Sequence, residues 1–378
     1  MGNPMLARRR TAQEAALDAV VIADLTRLRR ATPMVEMVPL KAPPPNAVDL
    51  SVHLHYVRMQ GGNGCWGYSM LAVWDIMNEM ACPYSPNLSM RIWMMLHRRR
   101  ELWQTQGGLF TPDGRFHKMS NPEWGFLQSF GNTTEGTEPT LFAYPSLWPD
   151  GGWSSEGIDE AANYRLASEP KPIEINSTSF IQQLASGHPI RLSLAYPAGE
   201  GHFIAVVGYD QTTKTFRYVN SAGDKWGTGG FATYTFAEID AKKAGDVTFD
   251  SAEIVEIQPP RPVPAARIRF THSNRSNVHL SLSIEDSPHA PRKFWPHGWD
   301  DNSANLSLTV RLPTEFIWPP SPSNRLVLDL YDSGQYTNTG GNLVEFTAAF
   351  GGHIVPCSSL AAGPVAFKPR ERRCFLIP

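Results

Sequence analysis

The sequence of 378 residues is poor in cysteine, has no long apolar run and carries almost no net charge. Its four cysteines are widely spaced and form no CxxC pair, which argues against a disulfide framework and a zinc knuckle. A bridge between Cys357 and Cys374 is left open. No apolar run approaches the length of about 18 residues that a membrane-spanning helix needs. A formal net charge of −2 provides no general attraction to nucleic acid or to a membrane, so we expect neither as a partner.

The first 45 residues differ from the rest of the chain in composition and in the spacing of their apolar residues. Asp18 and Asp24 interrupt the apolar stretch that a signal peptide needs, so we expect the cytoplasm or export by a non-classical route. Residues 11–31 have the apolar spacing of an amphipathic helix, and the prolines at 43–45 favour an extended spacer after it. The segment 1–45 is interpreted as a cover for the next domain or as a docking helix for a partner.

Residues 46–258 are expected to form one domain with helices first and strands later. The spacing of apolar residues predicts a buried helix over 65–81 and a second helix over 88–104. Gly, Pro, Asn, Ser and Thr are frequent over 108–170, which is typical of loops. A short helix in "STSFIQQLASG" comes next. Four strands are then predicted, in "RLSLAY", "HFIAVVGYD", "TFRYVNS" and "AEIVEIQ".

A second proline cluster over 259–264 marks another change in the sequence pattern. Beyond it, over 265–378, short runs alternate apolar and polar residues between turn signals, which predicts an all-β sandwich. The runs are "ARIRFTH", "VHLSLSI", "ANLSLTVRL", "RLVLDLY" and "LVEFTAAF". This domain is interpreted as a recruitment surface for substrate or as a structural companion. Its aromatic residues either line such a surface or pack in the interior; they include Trp295, Trp299, Trp318 and Tyr331.

One group of residues has the types that thiol chemistry requires. Cys65 lies where the Gly-rich loop "QGGNG" becomes a helix, and the partial positive charge of a helix N-terminus favours a thiolate. His202 begins the strand "HFIAVVGYD" and is expected to project from a sheet edge as a base. Asn220 ends the next strand, where its amide would fix the tautomer of the imidazole.

This arrangement resembles the papain-like cysteine peptidases over residues 46–258. "QGGNGCWGYS" is similar to their Gln-containing, Gly-rich loop before a Cys-Trp pair, "GHFIAVVGYD" to their histidine strand, and "VNSAGDKWGTGGF" to their Asn-Ser segment. The resemblance implies an α+β fold, with a papain-like two-lobe domain (a helical half and an antiparallel sheet half) before the β-sandwich. It also implies a cysteine peptidase that acts on a peptide or protein substrate without cofactor or metal, and it makes 1–45 propeptide-like.

Carried over residue by residue, the resemblance gives four residues a role. Cys65 becomes the nucleophile, forming a thioester, and His202 the base and acid. Asn220 becomes the residue that orients His202, and Gln60 a side-chain donor to the oxyanion beside the Cys65 amide.

The sequence departs from papain at two of these places. Gln60 stands five residues before Cys65 instead of six, so its role assumes a shortened loop. Ala222 stands where papain has a tryptophan that shields the Asn–His pair, with Trp226 as a candidate replacement. The extra cysteine of the papain loop is also missing. The chain therefore resembles short bacterial papain-fold peptidases, of the staphopain or bacteriocin-leader-processing kind, more than papain.

Each predicted site residue also has an ordinary interpretation. Cys65 would be a small buried apolar residue, His202 a hydrogen-bonded strand end, Asn220 part of a turn and Gln60 a loop residue. The protein would then be an inactive binding or scaffold protein on a papain frame. An acyltransferase that uses the same thiol is the other alternative.

Three further features are interpreted as structural. His53 and His55 would share one face of a strand but have no third ligand for a metal. The three arginines at 98–100 point in different directions from a helix and are expected in solvent. Cys82, before a proline, is expected to be an inert thiol.

Overall fold

A computed structural model provides the architecture of the chain. It describes residues 43–60, 64–90, 108–110, 116–118, 127–128, 160–197, 199, 201–285, 292–294, 305–312, 325–335, 337–350 and 353–377. Outside these ranges lie the amphipathic helix predicted over 11–31, nearly all of the helix predicted over 88–104, the arginines at 98–100, much of the loop block and the three tryptophans 295, 299 and 318. Within them, no helix combines the length and apolar character needed to cross a membrane.

The longest described helix is α1, Cys65–Ala81, with the bounds predicted from the apolar spacing. It is buried on most of its surface, including Trp66 and Trp74. Gly64 precedes it and offers no side chain to cap its first turn. The helix ends where Cys82 adopts an extended conformation before a proline. Cys65 is therefore the first residue of a helix anchored by its apolar surface.

The region up to residue 258 contains an antiparallel sheet in the strand order β4-β10-β5-β6-β7-β8, with β1 added beside β6 and β9 beside β10. Helices α2 and α3 pack near β5, β6 and β8. A separate hairpin joins β2 and β3. The elements are β1 Ala47–Asp49, β2 Gly108–Phe110, β3 Phe116–Lys118, β4 Lys171–Ile173, α2 Ser177–Ala185, β5 Ile190–Ala195, β6 Gly201–Asp210, β7 Thr215–Val219, β8 Phe231–Thr235, α3 Phe236–Asp240, β9 Lys243–Ala244 and β10 Val247–Ile254.

Several features of this sheet differ from the expectations. Strands β1, β4, β8 and β9 and helix α3 were not predicted. Strands β1, β4 and β9 have only two or three residues, "FATYT" contains few aliphatic residues, and α3 has only five residues. Thr235 starts α3 with a capping box to Glu238, which is a local signal for a helix start. The expectation that His202 lies at a sheet edge was wrong: its strand β6 is central, between β5 and β7.

Strand β5 is buried on both faces, although its sequence alternates apolar and polar residues. Arg191 is only 1 % exposed and Ser193 is buried, because α1 covers the face from which they project. The Arg191 guanidinium forms an ion pair with Glu253 on β10 and donates from Nε to Ser69 Oγ of α1 at 3.1 Å. A charged side chain in this strand therefore marks contact with the helix, not with solvent.

Two further antiparallel sheets follow residue 264 and share one apolar core. Their strand orders are β14-β11-β16-β17, with β18 beside β16, and β13-β12-β15-β19. The five predicted strands are present, and four short strands were not predicted. The elements are β11 Ala265–His272, β12 Val278–Ile284, β13 Arg292–Phe294, β14 Asn305–Arg311, β15 Leu326–Asp332, β16 Gly341–Phe350, β17 His353–Pro356, β18 Val365–Phe367 and β19 Arg372–Ile377.

The cysteines of these sheets are both thiols in the structure. Cys357 is buried, and its Sγ lies 3.2 Å from the carbonyl oxygen of Leu376. Cys374 is exposed on β19. The bridge that the sequence left open is not formed.

Candidate active site

Cys65 occupies the N-terminal end of α1, as the sequence predicted. It is partly exposed and forms no disulfide. The helix packs against β6, the strand that carries His202. The unpaired amides of a helix N-terminus hold partial positive charge, and Cys65 is at such a position.

His202 and Asn220 meet directly. His202 is the second residue of β6, and Asn220 follows the last residue of β7, the antiparallel neighbour of β6. His202 Nε2 lies 2.7 Å from Asn220 Oδ1. The two strands form a hairpin that starts at the far end of β6, so the histidine at one strand's start and the asparagine after the other strand's end are brought to the same place.

This contact determines which imidazole nitrogen can act as a base. An amide oxygen only accepts hydrogen bonds, so Nε2 must carry the proton that is donated to Asn220. In the neutral ring, Nδ1 then holds the lone pair that can accept a proton. Burial lowers the pKa of His202, and the bond to Asn220 partly offsets that effect. Burial thus favours the neutral ring, which is the form that can accept a proton.

Gln60 is held by the residue after Asn220. Its backbone N–H donates to the carbonyl oxygen of Ser221 at 2.7 Å, and the Ser221 hydroxyl donates to Gln60 Oε1 at 2.6 Å. Since Oε1 is turned to Ser221, the donor of the same carboxamide, Nε2, lies on its other branch. The structure thus connects Gln60, Ser221, Asn220 and His202 in one cluster, and Cys65 follows Gln60 by five residues.

The positions that depart from papain have other contacts. Ala222 forms an isolated β-bridge with Met59 and so helps to hold the chain before Gln60. Trp226 packs against the apolar core, with its ring centroid 6.1 Å from that of Tyr218. The backbone after Asn220 therefore pairs with residues 59–60 and holds them in position.

The remaining candidates lie elsewhere. His53 ends a 3-10 helix, so it does not share a strand face with His55, whose Nε2 lies 3.1 Å from Glu79 Oε2. The described residues contain no group of three potential metal ligands. Cys82 is buried, and burial and the charge of Glu79 raise the pKa of its thiol.

Sequence reasoning missed Ser221 and Arg191. Ser221 stood out only as part of an Asn-Ser segment, and the shortened spacing before Cys65 left the orientation of Gln60 open. Arg191 sits in a strand whose alternating pattern is typical of a half-exposed one. A polar residue directly after Asn220, and a lone arginine in an otherwise apolar strand, were the available signals.

Comparison with known proteins supports the interpretation of this chain as a cysteine-type peptidase. Residues 148–243, about a quarter of the chain, match the model of the Peptidase_C39 like family. The matched segment includes His202 and Asn220, and Cys65 precedes it. This match bears out the resemblance to cysteine-type peptidases predicted from the sequence. No curated protein sequence matches the chain.

Solved cysteine proteases show limited similarity to the structure. Xylellain from Xylella fastidiosa is 19% identical, with 61% of this chain and 93% of that chain covered and a TM-score of 0.42. Bromelain from Ananas comosus, in complex with the E64 inhibitor, is 12% identical, covering 57% of this chain and 100% of that chain at a TM-score of 0.40. Procathepsin B from Trypanosoma congolense is 13% identical, covering 59% of this chain and 83% of that chain at a TM-score of 0.37.

Proposed function

We propose that this protein hydrolyses peptide bonds through Cys65, His202 and Asn220, with Gln60 as an oxyanion donor. Nδ1 of His202 takes the thiol proton, and the thiolate attacks the acyl carbon of the substrate. The tetrahedral oxyanion accepts hydrogen bonds from Gln60 Nε2 and the Cys65 backbone N–H. His202 then gives its proton to the leaving amine as the C–N bond breaks, and a thioester remains. Water, deprotonated by His202, hydrolyses that thioester and releases the Cys65 thiolate.

The contact between His202 and Asn220 is the observation that carries this proposal. A separation of 2.7 Å between Nε2 and Oδ1 assigns the proton to Nε2 and leaves Nδ1 as the base. The contact is not part of a local turn, because the pairing of β6 with β7 brings two separate strand ends together.

The domain layout is part of the same proposal. Residues 46–258 form the two-lobe peptidase domain, with α1 in the helical half and the sheet from β4 to β10 in the other half. The linker 259–264 leads to a β-sandwich over 265–378. Segment 1–45 acts as a propeptide-like cover, which equal peptidase activity of a shortened chain starting at residue 46 would disprove.

The first test is the rate at which iodoacetamide alkylates Cys65 as a function of pH, measured by mass spectrometry. An ordinary thiol titrates near pH 8.5. We expect Cys65 to react at pH 5–6, and we expect His202→Ala to remove this reactivity, because the thiolate then loses the base that holds its proton.

Cys374 is the internal control for that experiment. It is exposed, and burial and the charge of Asp329 raise the pKa of its thiol, with Arg372 partly offsetting them. Cys82 is a poorer control because it is buried. A Cys65 profile that follows Cys374 in both proteins would argue for an inactive scaffold and against the proposed chemistry.

Removal of the orienting amide is expected to slow hydrolysis without unfolding the protein. In Asn220→Ala the imidazolium loses a hydrogen bond worth about 1.5–3 kcal/mol, so kcat/KM should fall by roughly 10- to 150-fold. The measurement is steady-state hydrolysis of a fluorogenic peptide.

The matched control is Gln211→Ala. Gln211 donates to the carbonyl oxygen of Pro45 at 2.8 Å, just after the end of β6 that is distant from His202. Its loss should leave kcat/KM unchanged. Equal effects of both substitutions, or none from Asn220→Ala, would remove Asn220 from the mechanism.

A further inference from the structure

The segment that leads to Gln60 contacts the C-terminal sheets at its first two residues. Tyr56 is buried in the apolar core of those sheets, although it belongs to the peptidase part of the sequence. The carbonyl oxygen of Val57 accepts a hydrogen bond from Arg275 at 3.0 Å. Arg275 lies in a 3-10 turn between β11 and β12. Residues 56 and 57 are therefore fixed from the C-terminal side.

The next residue ties the segment to α1. Arg58 forms a buried ion pair with Asp75, with 2.7 Å between its guanidinium and Asp75 Oδ2. It also donates to the carbonyl oxygen of Leu88 at 3.0 Å and to the Tyr56 hydroxyl at 3.1 Å. Met59 and Gln60 then pair with Ala222 and Ser221, as described above. Every residue from 56 to 60 thus has a contact that defines its position.

Arg275 is the contribution of the C-terminal sheets to this arrangement. Its side chain is completely buried, and its guanidinium carbon lies 5.2 Å from the centroid of the Tyr56 ring. The same loop meets the chain after Asn220, since Lys225 Nζ donates to the carbonyl oxygen of Ser273 at 2.8 Å. One loop of the C-terminal sheets therefore touches both the segment before Gln60 and the segment after Asn220.

A second set of contacts joins these sheets to the far end of α1. Arg267 of β11 lies 2.8 Å from Glu79 Oε1. Burial alone would raise the pKa of Glu79, but His55 and Arg267 together hold it below its ordinary value. Asn87 donates to the carbonyl oxygen of Thr309 at 2.7 Å and accepts from its N–H at 2.6 Å. Separation of the sheets would remove these contacts from Glu79 and Asn87, which are both buried.

We infer that Arg275 is a positioning residue for catalysis, and that the C-terminal sheets are a structural part of the catalytic unit and not a detachable recruitment module. The inference rests on the proposed function, because it acts through Gln60 as the oxyanion donor. Arg275 fixes the Val57 carbonyl and the Tyr56 ring, which restricts the three residues that follow. Catalytic groups need such support, because a donor misplaced by about 1 Å loses much of its effect.

The test compares Arg275→Met with Arg269→Met in the full chain. Arg269 is on β11, the strand before the turn that contains Arg275; it lies 3.6 Å from Glu345, and its side chain is 52% exposed. Hydrogen–deuterium exchange is followed in peptides that cover residues 54–60. The Gln60 amide, which donates to Ser221, is expected to exchange about tenfold faster or more in Arg275→Met, and at the wild-type rate in Arg269→Met.

The kinetic arm asks whether Arg275 acts through Gln60. Arg275→Met should lower kcat for a peptide substrate about tenfold with little change in KM, and this effect should disappear in a Gln60→Ala background. Arg275→Lys keeps one donor for the Val57 carbonyl and should restore part of kcat; it also replaces Arg275→Met if that variant does not fold.

The outcomes separate the two proposals. Unchanged exchange at Gln60, or a kcat effect that is fully additive with Gln60→Ala, overturns the role of Arg275. Wild-type protein that hydrolyses no peptide overturns the proposed function, whereas the exchange data still decide whether Arg275 holds the segment.

Discussion

Cys65→Ser is expected to lower kcat/KM for peptide hydrolysis by a factor on the order of 10⁴ or more, which is the scale seen when a nucleophile is removed from a cooperating set of groups. The hydroxyl replaces the thiol with little change in volume, so α1 should remain intact. However, its proton is far harder to remove, and His202 is paired with the amide of Asn220 in place of the carboxylate that supports serine nucleophiles.

Hydrolysis of a fluorogenic peptide and the thermal midpoint are measured together for this variant. Cys374→Ser is the control, because that thiol is exposed and should be dispensable for activity. We expect both variants to unfold within a few degrees of the wild type. Retention of substantial activity by Cys65→Ser would show that another group carries the reaction.

The largest loss of stability is expected for Arg191→Met, about 3–5 kcal/mol in the free energy of unfolding. The substitution leaves Glu253 buried without its cation and removes the hydrogen bond to Ser69, one turn after Cys65 on α1. A charge in such a place cannot be solvated by movement of the side chain, since α1 covers this face of β5.

Arg217→Met is the matched control for that prediction. Arg217, on the same sheet, pairs with Asp49 at 2.7 Å, but both side chains are about 40% exposed. An exposed ion pair of this kind contributes about 1 kcal/mol or less, because water screens it. Urea unfolding followed by circular dichroism gives both values. Similar losses for the two variants would mean that burial of Arg191 and Glu253 has no special consequence.

Local sequence signals predicted the elements that carry the proposed site. The three- and four-residue spacing of apolar side chains defined α1 from Cys65 onward, because a helix that is buried on most faces imposes that period. An apolar run after His202, a polar turn and a second strand pattern predicted the β6–β7 hairpin, and hairpin geometry then implied that His202 and Asn220 lie close together. Strand β8 lacked such a signal, since "FATYT" packs through its aromatic rings.

The sequence by itself determined the local elements, because periodicity and spacing act over a few residues, and its resemblance to the papain-like cysteine peptidases supplied the expected class of chemistry. Only the tertiary structure decided how Gln60 is oriented by Ser221, 161 positions away, and that Arg275 holds Val57, 218 positions away. Contacts of that range depend on how separate sheets pack against α1 and the segment before it. No pattern within either partner's neighbourhood encodes them, so the support of the site became visible only in the fold.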